Sequence, residues 1–570
     1  MSNIPQKQSI AVDSAFVESI KTWGDEKATE ILSKLSTEWS QRYEFSELDG
    51  DLKQSLADSL CNLLENRSST DLCRRHCVEI FRVLSREKTN IDRLIDEKLI
   101  KNLVNLAGFS NDPSLAVDPN SDAGRQLSLE AQKSLCNLMF QSEKGRRLCL
   151  GTDCLEGLSS RLRANPELGA EDYDRRFYDL RLLFLMTALC PDVRAKCRDH
   201  PLDNLNSLTN ILDVLIRRGR RGGAAMGRWS DREINLICET LKVIFNLILP
   251  YKMSQIDECE VGRLDRLTDL MREGLLLSER EDSKKEELQS NIINLLAALP
   301  SQCYVRLTPK LENPAAAGGV SLPIPVYDGR NMEAMQILLD FLNSRLDKPP
   351  REHLESLSPI LTLLIDMARK HRHLRKYMRF KVLPPLTDVM HRPEEGTTLR
   401  NKLVRLMTAV TTEIKDLAAD YLFELCNRSI DRLIKYTGFG NAAGMLSMHG
   451  LMGAAVSGSG GKGAEEEDAE NSDTEEYLRV RDQINPIIGC YEPPRPDPMA
   501  GMSDEQKEYE AMKLVEQIDK MMKQGVVMPG RLGDDGRVHP VEHVLQLAEE
   551  AERSGVIRRP RSSSDDEVDD

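Results

Sequence analysis

The chain is 570 residues long. A single compact core stops growing at roughly 250–300 residues, so several domains or one extended repeat array are expected. The formal net charge of −15 sets nucleic acid aside as a partner, since a phosphate backbone is repelled by such a field. With 40% hydrophobic residues, Leu dominant among them, and only 5% aromatic residues, the composition favours stacked helices over sandwiches and barrels.

The 13 cysteines are an odd number, no CxxC pair occurs, and most sit inside apolar stretches (Cys61, Cys77, Cys136, Cys190, Cys238, Cys426). They read as reduced core residues, not as disulfides or zinc ligands. The start of the chain, MSNIPQKQSIAVDS, lacks a charged-then-apolar signal layout, and no stretch reaches the roughly 18 uninterrupted apolar residues of a membrane span. The expectation is a soluble cytoplasmic protein that acts as a monomer, without cofactor, metal or membrane insertion.

Helical periodicity runs from Ala11 to about Tyr436. Leu52, Leu56, Leu60, Leu63 and Leu64 make one face, Ile91, Leu94, Ile95, Leu99, Leu103 and Leu106 another, and alternating strand patterns are essentially missing. Helix starts are marked by Ser69-Thr70-Asp71 before LCRRHCVEIFRVL, Thr89-Asn90 before IDRLIDEKLIKNLVNL, and Ser230-Asp231 before REINLICETLKVIFNL. Gly108, Pro191, Pro250 and Pro300 are the matching stops.

A loose repeat shows through in SLCNLLEN (Ser59–Asn66), SLCNLMFQ (Ser134–Gln141), LKVIFNLIL (Leu241–Leu249), IINLLAALP (Ile292–Pro300) and YLFELCNR (Tyr421–Arg428). Each embeds a small or polar residue, often Asn, in an apolar helix. In an armadillo/HEAT-like all-α solenoid the innermost helix of each repeat lines a concave groove, where such an Asn either offers its amide to a bound peptide or satisfies a neighbouring loop. Asn137 and Asn246 are the groove candidates. The expected organisation is a solenoid over residues 1–450, an acidic linker over 451–502, an amphipathic partner-binding helix over 503–525 and a mostly disordered tail over 526–570. The Gly219–Arg228 and Thr308–Arg330 segments are expected to be loops within the array.

RKHRHLRKYMRFK (Arg369–Lys381) places Arg372, Arg375, Lys376 and Arg379 at helical spacing, with Leu374, Tyr377 and Met378 directed elsewhere. This is either a solvated surface or an anion receptor. The receptor reading gains from the acidic run, where Glu465–Glu467, Asp468, Glu470, Asp473, Glu475 and Glu476 surround Ser472 and Thr474. Both hydroxyls fit an acid-directed kinase such as casein kinase 2, and a phosphate on Ser472 or Thr474 would suit the guanidinium forks of Arg372 and Arg375 together with Lys376. A second acidic serine cluster, Ser562–Glu567, is expected in the disordered end.

Further on, Ser503-Asp504-Glu505-Gln506 is a capping box, and Ala511, Leu514, Val515, Ile518 and Met522 form an apolar stripe until Gly525. This helix either closes the solenoid as a last layer or acts as a tethered clamp on a partner. Enzyme signatures fail: GSGGKG lacks the first glycine and the Ser/Thr of a phosphate-binding loop, GFGNAAG has the wrong spacing, and neither HExxH nor GxSxG occurs. No catalytic constellation is found, and the chain is not expected to be an enzyme with chemistry of its own.

Several phrases go beyond pattern: YDGRNMEAMQILLDFLNSRLDK (Tyr327–Lys348), VLPPLTDVMHRPEEGTTLRNKLVRLMT (Val382–Thr408), DRLIKYTGFGNAAGMLSMHGLM (Asp431–Met452), SDTEEY, INPIIG and PDPMAGMSDEQKEYEAMKLV. They resemble synembryn, the resistance-to-inhibitors-of-cholinesterase family, collinearly from about Asp71 to Lys523. The resemblance implies a guanine nucleotide exchange factor and folding chaperone for G-protein α subunits free of βγ, GDP-bound or nucleotide-free, with recruitment to the cell cortex through those subunits.

It further implies that the groove holds the C-terminal helix of the α subunit, with Asn137 facing it, Arg74, Arg75 and Phe184 as further groove candidates, and Leu514, Val515 and Ile518 on the clamp. Ser472 and Thr474 fall at the family's regulatory phosphorylation motif. Vertebrate-like tails carry another serine a little upstream, where this chain has Glu465–Glu467. The competing readings are an armadillo adaptor that leaves nucleotide untouched and an importin-like carrier, the latter disfavoured by three Trp in all.

Overall fold

The structure, a computed structural model, describes residues 10–110, 117–118, 121–164, 167, 169, 172–221, 229–249, 258–278, 284–311, 325–410, 412–452, 474–492, 499, 501–525, 530–532 and 538–541. The chain divides into two units, Met1–Ile337 and Leu338–Asp570. Both are all-α, in the armadillo/HEAT-like manner. Among the described residues the strands form only three short antiparallel pairs: Val326–Tyr327 with Arg330–Asn331, Ile484–Asn485 with Cys490–Tyr491, and Gly530–Leu532 with Val538–Pro540.

In the first unit six helices stack in sequence order as one row: Asp25–Trp39, Asp71–Leu84, Asp122–Gln141, Tyr173–Leu189, Asp231–Ile248 and Lys285–Ala298. A second row, Gly50–Glu65, Glu97–Leu106, Cys154–Ala164, Asn204–Arg221 and Glu258–Ser278, packs behind it, and the short helices Glu143–Leu150 and Pro191–Arg198 turn the chain between rows. The core between the rows is built from the Leu and Ile side chains of the periodic stretches, among them Leu56, Leu60, Leu64, Leu103, Leu180, Leu183, Ile244 and Leu296, all nearly inaccessible.

The sequence marks many of the ends. Thr70 accepts a hydrogen bond from the Cys73 amide, and Ser230 forms a capping box with Glu233. Gly108, at φ +75°, ends the Glu97–Leu106 helix, with the Phe109 amide donating to the Val104 carbonyl at 3.0 Å. The stretch expected to run from Ile91 as one helix is instead two. Asp96 takes the cap position of Glu97–Leu106 by accepting from the Leu99 amide at 2.7 Å, and Ile91–Leu94 is left as a single turn.

Arginines close two further ends. Arg146 donates to the carbonyls of Met139 and Phe140, and Arg194 to those of Thr187 and Ala188, so the last carbonyls of two successive row helices are satisfied by a cation from the following short helix.

In the second unit the His353–Lys370 helix packs on Thr412–Leu425, joined by Arg372–Val382, Leu399–Leu406, Ile430–Thr437 and Phe439–Met448. Buried Glu424 ties the pair together. It accepts from Arg369 at 2.9 Å and Arg428 at 2.8 Å; burial pushes its carboxyl up, and the two guanidinium groups more than reverse that, leaving it below the ordinary carboxylate range. The 13 thiols are all free, and eleven of them are buried; burial raises Cys61 and Cys238 to about 12, as expected of core cysteines. No helix among the described residues is long and apolar enough to cross a membrane.

Candidate functional site

The polar residues embedded in the row helices are spent on their neighbours. Asn137 donates from Nδ2 to the Arg82 carbonyl and to Ser85 Oγ, both at 3.1 Å, and buried Asn246 donates to Thr187 Oγ1 at 3.1 Å. Arg82 pairs with Glu130 at 2.6 Å and Arg181 with Glu239 at 3.2 Å, each across one helix interface, while Arg161 and Gln132 share the buried Asp179 carboxylate. Most of these bonds pair polar groups of one row helix with those of the next, several of them buried. Asn137 and Asn246 therefore fasten successive repeats. Arg74 is likewise buried, donating to the Asn66 carbonyl at 3.2 Å and pairing with Asp71 at 3.6 Å.

The helices Asp71–Leu84, Asp122–Gln141 and Tyr173–Leu189 leave an open depression of about 480 Å³, lined by Arg75, Glu79, Arg125, Glu130, Lys133 and Asp174 among others. A second, of about 300 Å³, adjoins it through Leu129, Lys133 and Asp174 and adds Tyr173, Phe177, Tyr178 and Arg232. Both depressions are open and carry charge of both signs, and the second adds an aromatic flank. Arg75 thus lies in the cleft. Phe184 lies half-buried on the same row, under the Arg181 guanidinium at 5.5 Å.

Glu79, in the lining of the first depression, is bonded on several sides. It accepts from Arg75 Nε at 2.8 Å, contacts His76 Nδ1 at 2.8 Å and accepts from Ser36 Oγ at 2.9 Å. Burial raises its carboxyl, but the bonds to His76, Arg75 and Ser36 outweigh it and hold it at about 2. Nothing in the repeat pattern singled out Glu79; the available signal was a carboxylate four residues after an arginine inside an apolar helix.

In the second unit the Arg372–Val382 helix buries Leu374, Tyr377 and Met378 and leaves Arg372 exposed and Arg375 and Lys376 half-exposed, so the cations share the outward side; Arg375 donates to the Ala368 carbonyl at 3.1 Å. Ser472 lies outside the described residues, as do most of the Gly219–Arg228 and Thr308–Arg330 segments and the serine cluster at 562–564.

Thr474 is placed and engaged. Its hydroxyl donates to the Leu386 carbonyl and accepts from the Tyr477 amide at 3.2 Å, capping the Glu475–Val480 helix. From there to Glu492 the chain, expected to be linker, is stitched onto the second unit. Phe439 and Gly440 amides donate to the Pro486 and Ile487 carbonyls at 2.8 and 2.9 Å, the Tyr491 amide donates to Val389 at 2.7 Å, and Lys435 lies 4.3 Å over the Tyr477 ring. Gly438 and Gly489, both at positive φ, allow the two backbones to touch: a Cβ on Gly489 would sit 3.0 Å from Gly438 Cα.

The Asp504–Lys523 helix starts at the expected Ser503–Gln506 capping box and stops before Gly525 at φ +70°. It buries no residue: Tyr509 is 69%, Met512 70% and Leu514 56% exposed, with Val515 and Ile518 half-exposed. The helix is twenty residues long and amphipathic, and its apolar side is left exposed.

A helical-repeat scaffold with a charged cleft and an uncovered amphipathic helix is a protein-binding machine. The family model described as guanine nucleotide exchange factor synembryn matches residues 77–537. Chaperone Ric-8A of Danio rerio is 37% identical over 93% of this chain and 95% of its own length, and that of Gallus gallus is 36% identical over 97% and 98%. Chaperone Ric-8 of Drosophila pseudoobscura pseudoobscura is 35% identical over 83% and 86%. The chain belongs to the synembryn family of guanine nucleotide exchange factors.

Proposed function

We propose that this chain catalyses nucleotide exchange on G-protein α subunits, and assists their folding, by binding the nucleotide-free state in preference to the loaded one. The observation that carries the reading is the Asp504–Lys523 helix, whose Tyr509, Met512 and Leu514 remain uncovered in a family of exchange factors. Nucleotide held at nanomolar affinity represents about 12 kcal/mol, so a releasing factor must favour the empty state strongly. Multi-point contact supplies such a difference: the row of helices, with Arg75 in its depression and Phe184 farther along, takes the C-terminal helix of the α subunit, and Leu514, Val515 and Ile518 take a second surface. No chemistry of the chain's own is required. Reciprocity makes incoming GTP expel the factor, and preference for the open state makes the same protein a chaperone.

Regulation falls on Ser472, through an acid-directed kinase, with the phosphate received by Arg372, Arg375 and Lys376; the Thr474 hydroxyl is already engaged by Leu386 and Tyr477. The chain acts as a cytoplasmic monomer drawn to the cell cortex by its α subunits.

The test is the affinity of the full chain for one α subunit in three states: nucleotide-free, GDP-loaded, and loaded with a non-hydrolysable GTP analogue. A preference of roughly a hundredfold or more for the empty state is expected. Equal affinity for all three would make the chain an adaptor.

A further inference from the structure

We infer that Glu79 is a positioning residue that holds Arg75 ready for the partner, with Ser36 and His76 bracing it from behind. The inference rests on the proposal that this row of helices receives the α subunit.

Arg75 is a cation of the first depression, and through Glu79 and Gln126 it is tied into three successive row helices. Its Nε donates to Glu79 Oε1 at 2.8 Å on its own helix, and its Nη1 donates to Gln126 Oε1 on the next. Nη2 makes no hydrogen bond among the described residues. The guanidinium is thus clamped along one side, and the clamped group still lines the depression. The second oxygen of Glu79 is held by other groups. Ser36 Oγ, on the Asp25–Trp39 helix, donates to Oε2 at 2.9 Å, and His76 Nδ1 stands 2.8 Å from the same atom. Glu79 therefore cannot swing with Arg75; it is anchored to the preceding repeat while Arg75 is anchored to the following one.

The physical consequence concerns entropy and direction. An arginine free in solvent loses rotamer freedom when a partner takes hold of it, whereas one already fixed in a fork loses little and offers its remaining N–H groups in a set plane. Arg175, in the same depression, shows the contrast: its side chain pairs at 3.0 Å with Asp172, three residues before it, and among the described residues makes no tie to another helix. Glu79 does not need to touch the partner to matter. Its carboxylate works through the orientation of Arg75.

The test is a double-mutant cycle on the full chain, reading the dissociation constant for nucleotide-free α subunit together with the thermal midpoint. Glu79→Gln is expected to weaken binding about tenfold in the native background and to add nothing further once Arg75→Ala is present. Ser36→Ala, which leaves the Arg75–Glu79 bond in place and removes only the brace, should weaken binding by a smaller factor, about twofold to threefold.

Equal loss from Glu79→Gln with and without Arg75 would show a direct contact or a general loss of structure, and would overturn the inference. So would a loss on Arg75→Ala with none on Glu79→Gln. If the native chain shows no measurable affinity for the α subunit, the functional proposal itself fails; if it binds but Arg75→Ala has no effect, the cleft reading of Arg75 and this inference fall together while binding elsewhere stands.

Discussion

Gly157→Ala will unfold the first unit at a much lower denaturant concentration, a loss of about 3 kcal/mol. Gly157 lies in the Cys154–Ala164 helix where the Phe109 backbone crosses it: a Cβ there would be 1.8 Å from the Phe109 carbonyl oxygen and 2.5 Å from the carbonyl carbon. Backbone cannot rotate away as a side-chain end can, so either the helix or the Gly108–Phe109 turn must move. That turn is also held by Arg161, which stacks 4.1 Å over the Phe109 ring and donates to the Ala107 carbonyl at 2.7 Å. Any shift therefore reaches Asp179, the shared partner of Arg161 and Gln132. Gly262→Ala is the control. That glycine is exposed in a helix with nothing within 4 Å of its Cβ position, and the change should stabilise by about 0.5–1 kcal/mol. Equal unfolding midpoints for the two variants would mean that Gly157 is not the close-packed point described.

The double substitution Leu514→Asp with Ile518→Asp has the opposite profile. These side chains support no core, so the unfolding midpoint should stay where it is, as for most surface changes of about 0.5 kcal/mol or less. Affinity for nucleotide-free α subunit should nevertheless fall about a hundredfold, because two carboxylates would be buried where an apolar contact formed. Lys513→Ala, on the same helix, should change neither. A fall in stability would place the helix in the fold, and unchanged affinity would remove it from the binding surface.

These two cases also mark what the sequence discloses. Cap residues such as Thr70, Ser230 and Ser503 act locally, within three residues of the amides they bind, and so could be read directly; the apolar stripes of the row helices are legible for the same reason. The fastening pairs are not. Arg75 meets Gln126 and Thr187 meets Asn246 across 51 and 59 residues, and an embedded Asn looks the same whether it faces a ligand or a neighbouring helix.

The docking of residues 474–492 was hidden for a different reason. Much of it uses main-chain groups of Phe439, Gly440, Val389 and Tyr491, which every residue possesses, and its side-chain contacts, Thr474 on Leu386 and Lys435 over Tyr477, join residues 88 and 42 apart. Only the glycines left a trace, and GFG and INPIIG are close in space through Gly438 and Gly489 but far apart in sequence. The partner itself came from resemblance to a family; no periodicity or spacing in the chain names an α subunit.

The measurement that tests the account most directly is the rate of GDP release from a purified α subunit, free of βγ, with and without the full chain. Acceleration of roughly tenfold or more is predicted, since stabilising the empty state lowers the barrier to reaching it. Binding of the α subunit with an unchanged release rate would contradict the exchange mechanism and leave an adaptor in its place.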